Sequence, residues 1–166
     1  MNYEIERKFL LKKVPKVRYD NVVTIYQYYL KDDDKWTDRI RRIKDSEGEV
    51  VYIRTKKSRI NNLASEEDEK YLDRKEYEKI KKSALSKVTK KRHIINYGDY
   101  KLEIDHFKNI NVILCELEIV VDDNRLDNAT KELSEMELPD FILDNLIMEV
   151  TDFDEFSNKS LSVSLY

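Results

Sequence analysis

Segment after segment of this chain alternates ionisable and apolar side chains with a period of two, and the ionisable ones sort by sign. In Glu4–Phe9, the residues Glu4, Glu6 and Lys8 share one face of an extended strand, while Ile5, Arg7 and Phe9 share the other. Arg39 and Arg41 flank Ile40, Glu76 and Glu78 flank Tyr77, and Lys90 and Arg92 precede an apolar pair. Glu103 and Asp105 flank Ile104, and Glu116 and Glu118 flank Leu117. A half-buried sheet with its charges in water has the same alternation. Wet faces, however, mix Thr, Ser, Gln, Lys and Glu, whereas here acid pairs and base pairs occupy separate strands. Like charges two apart on one strand face repel, and a neighbouring strand of opposite sign offsets that only in part.

The alternation marks about eight strands, at Glu4–Leu11, Thr24–Leu30, Asp38–Ile43, Val50–Lys57, Arg74–Ile80, Lys91–Tyr97, Lys101–Phe107 and Val112–Val121. The polar connections "KDSEGE" and "NYGDY" read as hairpin turns. Helical spacing predicts Leu126–Met136, with Asp127 as N-cap, a helix after Pro139, and a short one at Lys82–Val88. The stretch Asn61–Lys70 is polar enough to read as a mobile loop. Many antiparallel strands and few helices predict an α+β fold, an eight-stranded antiparallel β-barrel with helices outside. At 166 residues the whole chain, 1–166, reads as one domain.

Composition narrows the function classes. With 31 basic and 34 acidic residues the net charge is −3, which argues against general nucleic-acid binding. The single Cys115 excludes an internal disulfide and any multi-cysteine zinc site. No apolar run approaches the roughly 18 residues of a membrane span, and the N-terminus lacks a signal-peptide layout. The expectation is a soluble cytoplasmic protein.

If the charged faces curl inward, carboxylates and cations line one cavity, where each is costly unless paired or bound to metal. A ligand that neutralises both sets is a metal-complexed polyanion. Carboxylates hold a hard cation such as Mg2+, and Arg and Lys hold phosphate oxygens. On this reading Glu4 and Glu6 face metal and Lys8 faces phosphate.

The motifs and their order resemble the CYTH superfamily, the triphosphate tunnel metalloenzymes, closest to the short bacterial-type inorganic triphosphatases. "EIERK" matches the signature Glu-x-Glu-x-Lys, and "QYYL" is similar to a Gln-Gly-Tyr-Leu strand with Tyr28 in place of glycine. "RIR" (Arg39–Arg41), "TKKS" (Thr55–Ser58) and "RKEYE" (Arg74–Glu78) resemble its Arg-x-Arg, Thr-x-Lys and Glu-x-Glu strands. "KKR" (Lys90–Arg92), "IDHF", "CELEI" and the terminal "MEVTDFDEFSNKSL" follow in the family's order, so the resemblance runs from Asn2 to about Leu161. It implies a barrel open at both ends that binds triphosphates and cleaves them with Mg2+ or Mn2+. By match, Lys8, Arg39, Arg41, Lys57, Lys90 and Arg92 grip phosphates. Glu4, Glu6, Glu76, Glu116 and Glu118 hold metal, with Asp105 in support. Glu78 positions water, and Tyr29 with Lys57 helps activate it.

The chain departs from the family in lacking glycines in "KNINVIL" and in an acidic "DFDE" before Phe156-Ser157-Asn158, changes expected to narrow one mouth or to reduce basic contacts to substrate. His93 and His106 read as structural, and Cys115 as a small apolar residue beneath an outer helix. "DDDK" reads as a turn, and the basic run Lys79–Arg92 as a solvated helix leading into a phosphate-binding strand. The functional expectation is a divalent-metal-dependent triphosphate hydrolase, acting on tripolyphosphate, ATP or a similar small triphosphate by in-line water attack. A class IV type adenylate cyclase and a non-catalytic triphosphate binder are the alternatives, with a homodimer as an open assembly state.

Overall fold

The computed structural model describes residues 1–166. Ten strands form one sheet: β1 Asn2–Leu11, β2 Asn21–Tyr29, β3 Thr37–Lys44, β4 Val50–Arg59, β5 Ala64–Leu72, β6 Ser86–Tyr97, β7 Tyr100–Phe107, β8 Ile113–Val121, β9 Leu146–Glu149 and β10 Val163–Ser164. Eight of them close on themselves in the order β6-β2-β3-β4-β5-β1-β8-β7, with β7 returning to β6. Every pairing is antiparallel, so the fold is the expected closed barrel. β9 adds to β1 beyond the end of β5, and β10 adds to the start of β6.

This barrel turns its charges inward and its apolar residues outward, the reverse of a small barrel filled by hydrophobic side chains. The outward Ile5, Phe9, Leu102, Ile104, Cys115, Leu117 and Ile119 form the main core. Helix α2, Leu126–Glu135, covers them, with Ala129 and Leu133 buried on its inner face. Helix α3, Asp140–Leu143, adds Ile142. Truncating Leu133, which is fully buried, is expected to cost ~2–5 kcal/mol by loss of contacts and the cavity left behind. Cys115 sits in this layer beneath α2, as expected.

Four local readings of the sequence are corrected. Residues Arg74–Ile80 are not a strand: Arg74–Lys81 is helix α1. Asp73 caps it, accepting from the Glu76 amide at 2.8 Å, while the Glu76 carboxylate accepts from the Asp73 amide. Leu72 before the cap and Tyr77 in the next turn pack in one cluster, completing a hydrophobic staple. The polar Asn61–Lys70 is not all loop, because β5 takes up Ala64–Leu72 and pairs with β4 over eight positions. Opposite charges meet across that pairing at Lys57/Glu67 and Lys56/Asp68, which holds a strand with almost no apolar residue. Lys82–Val88 is not a helix: α1 ends at Lys81 and β6 begins at Ser86. Asp127 lies inside the first turn of α2; a short 3-10 turn, Asp123–Arg125, precedes it and is capped by Asp122.

Both turns that the sequence marked contain a glycine with positive φ, +87° at Gly48 and +66° at Gly98. No helix is long and apolar enough to cross a membrane.

Candidate active site

The interior of the barrel is a cavity of about 800 Å³. Its wall divides by strand order. Four contiguous strands, β5, β1, β8 and β7, bring in Glu67 and Glu69, Glu4 and Glu6, Glu116 and Glu118, and Glu103. The strands β6, β3 and β4 bring in Lys90 and Arg92, Arg39 and Arg41, and Lys57. Between them β2 presents Tyr29, Ile25 and Val23. Two cations are set into the acidic half, Lys101 on β7 and Lys8, which stands at the end of the inward row that begins with Glu4. Alternation produces this arrangement directly, because in a closed barrel one parity of every strand faces the lumen.

The halves meet in ion pairs. Lys57 Nζ donates to Glu4 Oε1 at 2.6 Å and lies 3.8 Å from Glu6. Arg41 reaches Glu69 at 2.9 Å, and Lys8 lies 3.8 Å from Glu116. Asp105, almost fully buried and on the same face of β7 as Glu103, takes Lys90 at 2.8 Å and a two-pronged contact from Arg92 at 2.7 and 2.8 Å. Arg92 also donates to Glu103 at 3.1 Å. Tyr29 accepts from Gln27 Nε2 at 2.7 Å and shares no hydrogen bond with Lys57.

Charge balance in the cavity is uneven, and the protonation equilibria record it. Burial acts to raise the Glu4 and Glu116 carboxyls, but Lys57 overrides it at Glu4, and Lys8 with the Glu6 side chain overrides it at Glu116, so both stay well below the ordinary range. At Glu6 burial and the Glu116 charge win, and the carboxyl rises well above normal. Glu118 rises likewise from burial and the nearby Glu103. Glu67 is pushed up to about 7 by burial and by Glu4. Burial carries Arg41 down to about 10 and Lys90 down to about 8, the latter despite Asp105.

Five buried side-chain atoms have no partner: Glu6 Oε2, Glu67 Oε2, Gln27 Oε1, Arg39 Nε and Arg41 Nε. All belong to residues on the inward parity of their strands. Buried polar atoms are ordinarily paired, so the concentration of orphans here is that of a wall built to receive a charged guest.

Carboxylate oxygens of Glu4, Glu6 and Glu118 lie within 4.8 Å of one another, and so do those of Glu103, Glu116 and Glu118. Hard oxygen donors at this spacing, with an unpartnered oxygen on Glu6, fit a divalent cation.

No family model matches the chain, and no curated protein matches it. Among solved structures, the inorganic triphosphatase NE1496 is similar at 24% identity and a TM-score of 0.59, over 98% of this chain and 95% of that one. The chain shares the fold of that structure, a closed eight-stranded antiparallel barrel. PH1819 from Pyrococcus horikoshii OT3 shares this fold at 14% identity and a TM-score of 0.67, over 88% of this chain and 92% of that one. So does a candidate adenylate cyclase from Vibrio parahaemolyticus, at 14% identity and 0.56, over 79% and 84%.

Of the residues assigned from the CYTH motifs, the barrel brings together Glu4, Glu6, Lys8, Tyr29, Arg39, Arg41, Lys57, Lys90, Arg92, Glu116 and Glu118. It does not bring in Glu76 or Glu78, which are exposed on α1 outside the barrel. Glu67 and Glu69 on β5 occupy the wall in their stead. Two signals pointed there: Asp73-x-x-Glu76 is a capping box, and Ser65, Glu67, Glu69 and Tyr71 keep one parity. Asn158 was also missed as a site residue; it is buried, lines the cavity and accepts from Lys90 at 2.7 Å. With Val150, Thr151, Phe153, Asp154, Ser157 and Lys159 it lines the end of the cavity near Lys8.

Proposed function

We propose that the chain is a divalent-metal-dependent hydrolase of small triphosphates, with inorganic tripolyphosphate or a nucleoside triphosphate as substrate. The observation that carries this reading is the two-sided wall: an acidic half on four contiguous strands facing basic side chains of β6, β3 and β4 across one cavity. Neither half suits a neutral ligand, and only a guest bearing both a cation and several anionic groups satisfies both.

Glu4, Glu6 and Glu118 would hold Mg2+ or Mn2+, with Glu103 and Glu116 as the adjoining set. When bound, that ion supplies charge neutralisation at the phosphoryl oxygens. The chain's own residues do the rest. Arg39, Arg41 and Arg92 offer forked donors to phosphate oxygens, and the Nε atoms of Arg39 and Arg41 are unpartnered. Lys8, Lys57 and Lys90 add point charges that fix the chain of phosphates along the wall. Glu67, whose carboxyl is pushed up to about 7, can exchange a proton near neutrality and sits beside Glu4. It is therefore better placed than Glu78 to orient and deprotonate an attacking water. Tyr29 faces the same space with its oxygen already accepting from Gln27, leaving its hydroxyl hydrogen for a phosphate oxygen or water.

Phosphorus NMR of the purified protein with tripolyphosphate, ATP and thiamine triphosphate, in Mg2+ or Mn2+, tests the proposal. Release of orthophosphate that disappears in Glu6→Gln is the expected result, and the order of rates names the substrate. Pyrophosphate with cyclic AMP from ATP would make the protein a cyclase. Tight binding with no turnover would make it a receptor.

A further inference from the structure

The inward row of β1 ends on Lys8, and at that point the strand has lost its neighbour on one side. β5 pairs with β1 only as far as Ile5↔Ala64, and the last contact from that side is the Glu6 amide donating to Leu63 O. The Lys8 amide and carbonyl would be left as an open strand edge deep in the wall. Residues 149–151 supply what β5 does not. The Val150 amide donates to Lys8 O at 2.8 Å, as a strand neighbour would. The Lys8 amide, in contrast, donates not to a backbone carbonyl but to Thr151 Oγ1, at 3.0 Å.

That exchange of a carbonyl for a hydroxyl has a geometric consequence. With the hydroxyl closing the strand edge, the backbone after Thr151 is free to leave β1 and run along the cavity end. It then delivers Phe156 O to within 3.2 Å of Lys8 Nζ and Asn158 Oδ1 to Lys90. The hydroxyl is itself fixed, because Thr151 Oγ1 donates to Glu149 Oε2 at 2.6 Å. Glu149 is gripped from the other side by Arg7, at 3.1 and 2.9 Å, and Arg7 also donates to Leu133 O and Met136 O at the end of α2. A continuous chain of hydrogen bonds therefore runs from the outer helix, through Arg7, Glu149 and Thr151, to the backbone of Lys8.

We infer that Thr151 is a positioning residue for Lys8: its hydroxyl, oriented by Glu149 and Arg7, sets the height and direction at which the Lys8 ammonium meets the phosphates. This rests on the triphosphatase reading of the cavity. It adds a requirement from outside the charged wall, carried by a neutral side chain.

The test uses the full chain and tripolyphosphate as the probe. Thr151→Val removes the hydroxyl at constant shape, and Thr151→Ser keeps it. Losing one hydrogen bond that holds a charged group is expected to raise KM, and the Kd for tripolyphosphate by calorimetry, about tenfold in Thr151→Val, with kcat changed much less. Thr151→Ser should return both to within about twofold of the parent. Glu149→Gln, which keeps the hydroxyl but weakens the Arg7 grip, should move KM the same way by a smaller factor, and it serves if Thr151→Val does not fold. Equal KM and Kd in Thr151→Val and the parent would overturn the inference, as would a serine variant no better than valine. A parent protein that neither binds nor cleaves tripolyphosphate would instead overturn the triphosphatase reading itself.

Discussion

Lys57 and Lys90 make the same contact, an ammonium 2.6 to 2.8 Å from a carboxylate, at opposite edges of the basic half, and their proton affinities move in opposite directions. Burial works against the charge of both. At Lys57 the facing Glu4 and Glu6 outweigh it, and the pKa rises above the ordinary lysine value. At Lys90, only 1% exposed and with Arg92 beside it, a single shared Asp105 does not suffice, and the pKa falls to about 8. The difference lies in the carboxylates each lysine faces: Glu4 and Glu6 for Lys57, against an Asp105 shared with Arg92 for Lys90. The acidic half has negative charge to spare, so a cation there is stabilised and extra carboxyls hold protons. Within the basic half, Arg41 and Lys90 are the cations left short of negative charge, and burial lowers both. A metal triphosphate, the proposed ligand, would correct both deficits together.

Substitutions that strip one half should separate the two roles. The largest effect is expected for Glu6→Gln, with kcat for tripolyphosphate falling at least about a hundredfold and more metal needed for half-maximal rate. Arg39→Gln, on the opposite wall, should raise KM by roughly ten- to a hundredfold while the metal requirement barely changes. If both variants lost metal and substrate affinity alike, the division of labour between the halves would be wrong.

Stability should show the same asymmetry. Asp105→Asn removes the carboxylate that Lys90 and Arg92 share and is expected to cost ~3–5 kcal/mol in chemical denaturation, because it leaves buried cations underpaired. A loss below about 1 kcal/mol would mean that water or Glu103 already satisfies them.

The pH profile of the metal-free protein follows from the same groups. Glu67 holds its proton in the folded state up to about 7 but in the unfolded state only to about 4.5. The folded form therefore binds the extra proton in that window, and Glu67 makes stability fall as pH rises from about 4.5 to 7. Lys90 works the other way: the unfolded form holds the extra proton between about 8 and 10.5, so its contribution makes stability rise across that range. Binding Mg2+ near pH 6 should expel protons from Glu6 and Glu118, both raised, which calorimetry in two buffers of different ionisation enthalpy measures. Metal binding without proton release would place the ion elsewhere.

The smallest effect is expected for Glu78→Gln, which should leave turnover within about twofold, since Glu78 lies outside the barrel. Glu67→Gln in contrast should reduce it strongly. The pair marks where sequence reading stopped short. Barrel, closure and most of the wall were legible because alternation by sign survives in β1, β3, β6, β7 and β8 whatever their packing. The strand β5 was not legible, since it carries charge on both faces and owes its form to Lys57 and Lys56 across from it. Helix α1 was misread for the complementary reason. In "RKEYE" a helix with Tyr77 inward and a strand with Glu76 and Glu78 on one face present the same letters, and only the Asp73 cap distinguishes them. Asn158 and Thr151 gave no periodic signal at all, because they act from a one-turn helix, Asn158–Leu161, and a turn that meet Lys90 and Lys8 only in three dimensions.

The most direct test of the two-sided wall is a crystal of the Glu67→Gln variant soaked with Mn2+ and tripolyphosphate, with manganese located by its anomalous scattering. The account predicts manganese among Glu4, Glu6 and Glu118 and phosphate oxygens against Arg39, Arg41 and Arg92, within one cavity. Manganese on the outer surface, or phosphates bound away from the basic strands, would contradict it.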